Sequence, residues 1–184
     1  IAGWPRTSRA YTHAHVLDIV SRQKALNFPP GSAYSYSNTG YNLAAVLVSR
    51  VSGKSFADFT REVLFEPLGM TRTSWRDDFT RVVRDRSIAY DVSPSGAVAM
   101  DMPFENVHGN GGLLTTVGDL LKWNENAVHA KVGGRSLIDL QRETMRLTGG
   151  ERIEYAFGLR VSSWKGVAEV SHSGATAGYR AWLA

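Results

Sequence analysis

Pro29-Pro30-Gly31-Ser32-Ala33-Tyr34-Ser35-Tyr36-Ser37-Asn38-Thr39-Gly40-Tyr41-Asn42 crowds tyrosines and small polar side chains between the end of one helix and the start of the next. On its N-terminal side, Val16, Leu17, Ile19 and Val20 share one helical face between Thr12 and Ala25, with Thr12 as N-cap. Asn27-Phe28-Pro29-Pro30-Gly31 stops that helix, because proline lacks the N–H the ladder needs and pushes the residue before it toward extended geometry. On the C-terminal side, Leu43, Val46, Leu47 and Val51 recur at helical spacing. Ser37, Asn38 and Thr39 all qualify as caps there, and Gly53 closes the far end.

Further along, Ser55 is expected to cap a helix through Phe65, ended by Pro67 and Gly69. Residues 71–102 read as a long, arginine-rich, irregular excursion with β-leaning pieces such as Ser87-Ile88-Ala89-Tyr90 and a turn at Ser93-Pro94-Ser95-Gly96. The cluster Gly109-Asn110-Gly111-Gly112 precedes a capped helix from Thr116 to about Ala127, and a further helix is expected over Ser136 to Met145. Three strands follow: Phe157 to Trp164, Val167 to Ser171 after a turn at Lys165-Gly166, and Tyr179 to Leu183. Helices first and antiparallel strands last predict an α+β fold. The division expected is a mainly helical region over 1–150 and the first strands of an antiparallel sheet over 151–184.

Composition narrows the function classes. The chain has 184 residues, 43% hydrophobic and 21% charged, as a globular protein does. Its apolar runs are short and broken by charge, so no window reaches the ~20 apolar residues of a spanning helix. The net charge is +4, but Arg72, Arg76, Arg81, Arg84 and Arg86 are interleaved with Asp77, Asp78 and Asp85, which argues against a nucleic-acid partner. With no cysteine there are no disulfides or thiolate sites, and the compartment stays open between a reducing cytosol and a disulfide-poor periplasm. His13 and His15, two apart on a helix, point to different faces, and His108 and His129 stand alone. No metal or other cofactor is expected, and these four histidines are read as solvated or core.

Two stretches carry chemistry. Tyr36 sits where a helix N-terminus offers unsatisfied N–H groups and a positive dipole end, yet a phenol with an ordinary pKa near ~10 needs positive neighbours to act as a base. The plainer alternative is that Asn38 caps the helix and the tyrosines pack. His172-Ser173-Gly174-Ala175 ends a strand, where glycine admits a close ligand and the strand edge offers N–H groups to an oxyanion or a peptide.

The combination resembles the serine β-lactamase and D-alanyl-D-alanine peptidase superfamily, in its class C and esterase-like branch. Pro29-Pro30-Gly31 with Tyr36-Ser37-Asn38 is similar to the family's second motif, and His172-Ser173-Gly174 to its third in the histidine version. Phe65-Glu66-Pro67-Leu68-Gly69-Met70-Thr71 with Thr73, and Gly109 to Thr116 with Asp119-Leu120, resemble the signatures between them. The resemblance implies a β-lactamase/transpeptidase-like fold truncated at both ends, in a periplasmic or secreted hydrolase. It implies Tyr36 as general base and acid and Asn38 on the substrate's amide side chain. His172 would be a donor or charge near the substrate carboxylate, Ser173 and Gly174 would lie against the substrate, and the backbone N–H of Ala175 would form half of the oxyanion hole.

The family's first motif, Ser-x-x-Lys opening a core helix, has two formal matches, Ser21-Arg22-Gln23-Lys24 and Ser162-Ser163-Trp164-Lys165. Ser21 stands too near Tyr36 for the family's layout, and Ser162 falls in a hairpin, where i and i+3 do not share a helical face. The expectation is therefore an internal stretch of a serine hydrolase of amide or ester carbonyls (a β-lactam, a D-Ala-D-Ala peptide or a small ester), inactive by itself because the nucleophile lies elsewhere. The opening Ile1-Ala2-Gly3-Trp4-Pro5, with no initiator methionine or leader pattern, reads the same way. The rival reading is a non-catalytic module that binds peptide-like ligands in the same groove.

Overall fold

Thr12, Ser37, Ser55 and Thr116 each precede a helix, and the side chains of the last three accept a backbone N–H of the first turn. The computed structural model describes residues 10–184, so the Ile1–Pro5 stretch lies outside the described residues. The helices are α1 (His13–Ser21), α2 (Asn38–Ser52), α3 (Phe56–Thr60), a π-helical turn (Arg61–Phe65), α4 (Glu66–Leu68), α5 (Val117–His129) and α6 (Gly134–Gln141). The strands are β1 (Ser74–Trp75), β2 (Tyr90–Val92), β3 (Val98–Met100), β4 (Leu113–Leu114), β5 (Arg160–Trp164), β6 (Val167–Thr176) and β7 (Tyr179–Leu183). The fold is α+β, as the order of elements predicts.

Several boundaries depart from expectation for local reasons. Helix α1 ends at Ser21, not Ala25: the Ser21 hydroxyl bonds back to the Asp18 carbonyl, and Arg22 and Gln23 donate to carbonyls three residues back, tightening the last turn. The helix after Ser55 does not stop at Phe65. Its ladder widens into the π turn ahead of Pro67, whose ring would otherwise strike the carbonyl of Val63, and it ends at Leu68 before a left-handed Gly69. Helix α6 covers 134–141 rather than 136–145, β5 starts at Arg160 rather than Phe157, and Ser87–Ala89 lie outside β2. Strand β6 runs on to Thr176, which places His172-Ser173-Gly174 inside a strand rather than at its end.

Phe65, Leu68 and Met70 form a small core against Trp75, Leu113 and Trp123. Pairing of β1 with β4, invisible in so short a pattern, ties the start of the excursion to the Gly111-Gly112 loop through Ser74↔Leu114 and Trp75↔Leu113. The β2–β3 hairpin packs against the turn between β6 and β7. Gly178 donates its N–H to Asp101, and a Cβ on Gly178 would lie 2.4 Å from the Tyr90 carbonyl oxygen, so only glycine allows this approach.

Gly109 has the same role on α2. It holds φ +111°, and a Cβ there would sit 2.6 Å from the Tyr41 carbonyl oxygen and 2.8 Å from the Ala45 Cβ. Gly109→Ala is expected to destabilise the chain by about 2 kcal/mol, read as a lower urea midpoint with an unchanged slope.

Candidate active site

Strands β5, β6 and β7 form an antiparallel meander in which β6 is central. Lys165 and Gly166 both hold positive φ, 50° and 81°, so the β5–β6 connection is a two-residue turn flanked by the pair Trp164↔Val167. In an antiparallel ladder successive residues turn their N–H and C=O to opposite edges. Val167, Glu169 and Ser171 therefore face β5, whereas Thr176, Gly174 and His172 face β7 through the turn at Thr176↔Tyr179. Ser173 and Ala175 face the β5 side, but β5 pairs no further than Arg160↔Ser171. The backbone groups of Ala175 thus lie on an open half-edge, which borders a cleft of about 1230 Å³.

Tyr36 and Asn38 reach the same cleft from the N-terminus of α2. Ser37 takes the capping role, accepting from the Gly40 N–H at 3.4 Å. Asn38 is left free of it, and its Oδ1 instead accepts from the Tyr36 hydroxyl at 3.2 Å. Tyr36 lies beside the His172 ring, 6.1 Å between centroids and tilted by 32°. All six residues singled out in sequence, Tyr36, Asn38, His172, Ser173, Gly174 and Ala175, line this one cleft. Ser21 and Ser162 do not, nor does any lysine. Lys165 instead lies over the Trp164 ring, 4.3 Å from its centroid.

Tyr155 completes the cluster and is not legible as a site residue in sequence. Its hydroxyl is 3.0 Å from His172 Nε2, and its ring packs edge-on to Tyr36 and against Tyr34. Burial, then the charges Tyr36, Tyr41 and Tyr34 would carry when ionised, push its phenol up to about 12. The lining of the cleft is basic. Six arginines (Arg72, Arg76, Arg84, Arg86, Arg160 and Arg180) face two carboxylates, Asp85 and Glu105. Arg76 is buried and bonded to Glu105 at 2.6 Å. Burial lowers its pKa, Glu105 opposes that and the nearby Arg86 adds to it, yet a guanidinium stays charged. The interleaving read in sequence is real for Arg72 with Asp85 and Arg81 with Asp77, whereas the buried pair draws on a residue outside that run.

The remaining histidines lie elsewhere. His108 stacks against both Phe56 and Trp75, which also touch each other, and is lowered to about 4 by burial and then by His13, whose Nε2 is 2.7 Å from the His108 carbonyl. Among the described residues no group of three or more His, Cys, Asp or Glu is arranged to hold a metal, and no helix is long and apolar enough to cross a membrane.

An α+β scaffold with a tyrosine triplet and a His-Ser-Gly strand on one cleft defines a β-lactamase/transpeptidase-like fold. The chain belongs to the Beta-lactamase family, whose profile matches residues 2–184. It is 32% identical over 168 residues to penicillin-binding protein 4* of Bacillus subtilis (strain 168), covering 83% of this chain and 37% of that protein. It is 25% identical over 162 residues to a D-aminopeptidase of Gluconobacter oxydans (strain 621H), covering 88% of this chain and 31% of that one. The octameric penicillin-binding protein homologue from Pyrococcus abyssi superposes with a TM-score of 0.83 at 24% identity, over 98% of this chain and 42% of its own. The chain thus spans about a third of the length of these curated relatives.

Proposed function

We propose that this chain supplies the tyrosine and strand halves of a serine hydrolase that cleaves an amide or ester carbonyl through an acyl-enzyme, its Ser-x-x-Lys nucleophile coming from outside these 184 residues. In this reading residues 1–150 carry the base and residues 151–184 the oxyanion and substrate edge. The observation that carries it is the meeting of Tyr36, Asn38 and His172 to Ala175 on one cleft from opposite ends of the chain.

Tyr36 takes the proton of the attacking serine, returns it to the leaving group and activates the deacylating water. The Ala175 N–H, on the open half-edge of β6, donates to the developing oxyanion together with the nucleophile's own N–H. Asn38 donates to the substrate's amide side chain, while His172 holds its imidazole beside Tyr36, both of its ring nitrogens being within hydrogen-bond distance of protein groups. With Arg72, Arg76 and Arg160 paired to Asp85, Glu105 and Glu154, the cations Arg84, Arg86 and Arg180 still favour a substrate that carries a carboxylate, so a β-lactam or a D-Ala-D-Ala peptide fits the cleft better than a neutral ester.

Gly174 provides the test. A Cβ there would meet only the Ala181 Cβ, at an ordinary 3.6 Å, so the fold itself has room for a methyl group. In a protein joining this chain to its Ser-x-x-Lys segment, Gly174→Ala is expected to keep the melting temperature and lose turnover of a chromogenic cephalosporin by at least about tenfold. Intact-mass measurement of the unsubstituted protein with the cephalosporin and with a p-nitrophenyl ester checks the covalent step. No acyl adduct with either, alongside retained peptide binding, would leave the binding-module reading in its place.

A further inference from the structure

Tyr155 stands where the chain doubles back before β5. It pairs with Arg160 across a turn closed by the Ala156 N–H on the Leu159 carbonyl, with Gly158 at φ 74° against the Tyr41 phenol. This turn diverts the chain from β6 just where pairing would have continued, leaves the Ala175 half-edge open, and brings the Tyr155 hydroxyl to His172. For the neutral ring the hydrogen-bond pattern there has one consistent solution. His172 Nδ1 lies 2.6 Å from the Ser173 carbonyl oxygen, which can only accept, so Nδ1 carries the hydrogen. In the neutral ring Nε2 is then the acceptor, and the Tyr155 hydroxyl, 3.0 Å away, donates to it.

We infer that Tyr155 is a positioning residue: its hydroxyl fixes the tautomer and the ring orientation of His172, and so the face that His172 presents to Tyr36. Without it the imidazole has one anchor, to the carbonyl of its own neighbour, on a part of β6 that β5 no longer pairs. The χ2 of histidine is soft, so a single local bond restrains the ring poorly. The phenol supplies the second, non-local anchor from a different segment. It also remains a donor when Tyr36 ionises, because a negative charge on Tyr36 opposes loss of the proton from Tyr155. Tyr34 packs on the Tyr155 ring, 5.4 Å between centroids, which steadies the donor.

The inference concerns the ring of His172 and rests on the proposed hydrolase reading only for its kinetic consequence. Its test is nitrogen-15 long-range NMR of the imidazoles in this chain, with Tyr155→Phe and, as a control that removes a phenol from the same cluster, Tyr34→Phe. The unsubstituted chain and Tyr34→Phe are expected to show His172 with Nδ1 protonated and Nε2 bare, and Tyr155→Phe to show a mixture of tautomers. In the protein joined to its nucleophile segment, Tyr155→Phe should lower kcat at least about tenfold with KM nearly unchanged. A His172 protonated on Nε2 in the unsubstituted chain would overturn the inference, as would a Tyr155→Phe spectrum identical to it. Failure of the hydrolase reading would look different: the unsubstituted joined protein would show no turnover, while the tautomer result would stand.

Discussion

Tyr36→Phe is expected to lower kcat for both a chromogenic cephalosporin and a p-nitrophenyl ester by about 10²–10⁴-fold, the range for losing a general acid–base group, in the protein that joins this chain to its Ser-x-x-Lys segment. Among the described residues the Tyr36 hydroxyl bonds to Asn38 alone, and the residue is 51% exposed, so its removal leaves the fold with almost nothing to repair. KM should move little, because the substitution removes proton transfer rather than a binding contact. Steady-state kinetics of the two proteins side by side decide the matter, with far-UV circular dichroism to establish equal folding. Equal turnover would remove Tyr36 from the role proposed for it. The 184-residue chain alone should give essentially no turnover under the same conditions.

The largest stability effect is expected at Asp119. It is 3% exposed, and its Oδ2 accepts from the Arg72 backbone N–H and the Thr73 hydroxyl, each at 2.8 Å, while Oδ1 accepts from the Lys122 ammonium at 3.0 Å. This carboxylate joins the first turn of α5 to the start of the excursion beside β1. Asp119→Ala strands the Arg72 N–H and leaves the Thr73 hydroxyl only Thr115 and the half-exposed Lys122 ammonium only the Gly69 carbonyl and water, and should cost about 2–3 kcal/mol, a fall of roughly 4–12 °C in Tm by thermal unfolding.

The pH dependence has a definite sign. Burial, the largest influence, pushes the Asp119 pKa up, but the bonds from Thr73, Lys122 and Arg72 together outweigh it and hold the carboxyl below its ordinary value. A carboxyl depressed in the folded state contributes stability that is fully present above its unfolded pKa of about 3.9 and is lost as pH falls through the lower folded value. The stability gap between the unsubstituted chain and Asp119→Asn should therefore be constant at neutral pH and narrow below about pH 4. A gap that widened on acidification would contradict this account.

Much of the architecture was legible locally. Thr12, Ser37, Ser55 and Thr116 mark helix starts because a cap bond spans only a few residues, and Gly53 and the Lys165-Gly166 turn mark ends because positive φ is costly for other side chains. What misled was also local physics acting beyond a pattern's reach. Pro67 reads as a stop, yet a π turn carries the helix past it, and β1 and β4 are too short to show any alternation. For the candidate site, the two motifs could be read because each is contiguous. Tyr155 could not, because an aromatic before a glycine turn has many uses and only its distance to His172 singles one out.

The residues alone determined the α+β class, the capped helices, and the two motif stretches around Tyr36 and His172 with the family they resemble. The tertiary structure alone decided that these stretches share one cleft, that Ser37 rather than Asn38 caps α2, and that Arg76 is buried with Glu105. It also decided which edge of β6 is open at Ala175, since the facing of each backbone group follows from where β5 and β7 stop pairing. The physical reason is common to all of these. Caps, turns and periodicity are set within a few residues, whereas burial, strand register and the meeting of polar side chains depend on contacts between distant segments whose partners no local pattern names.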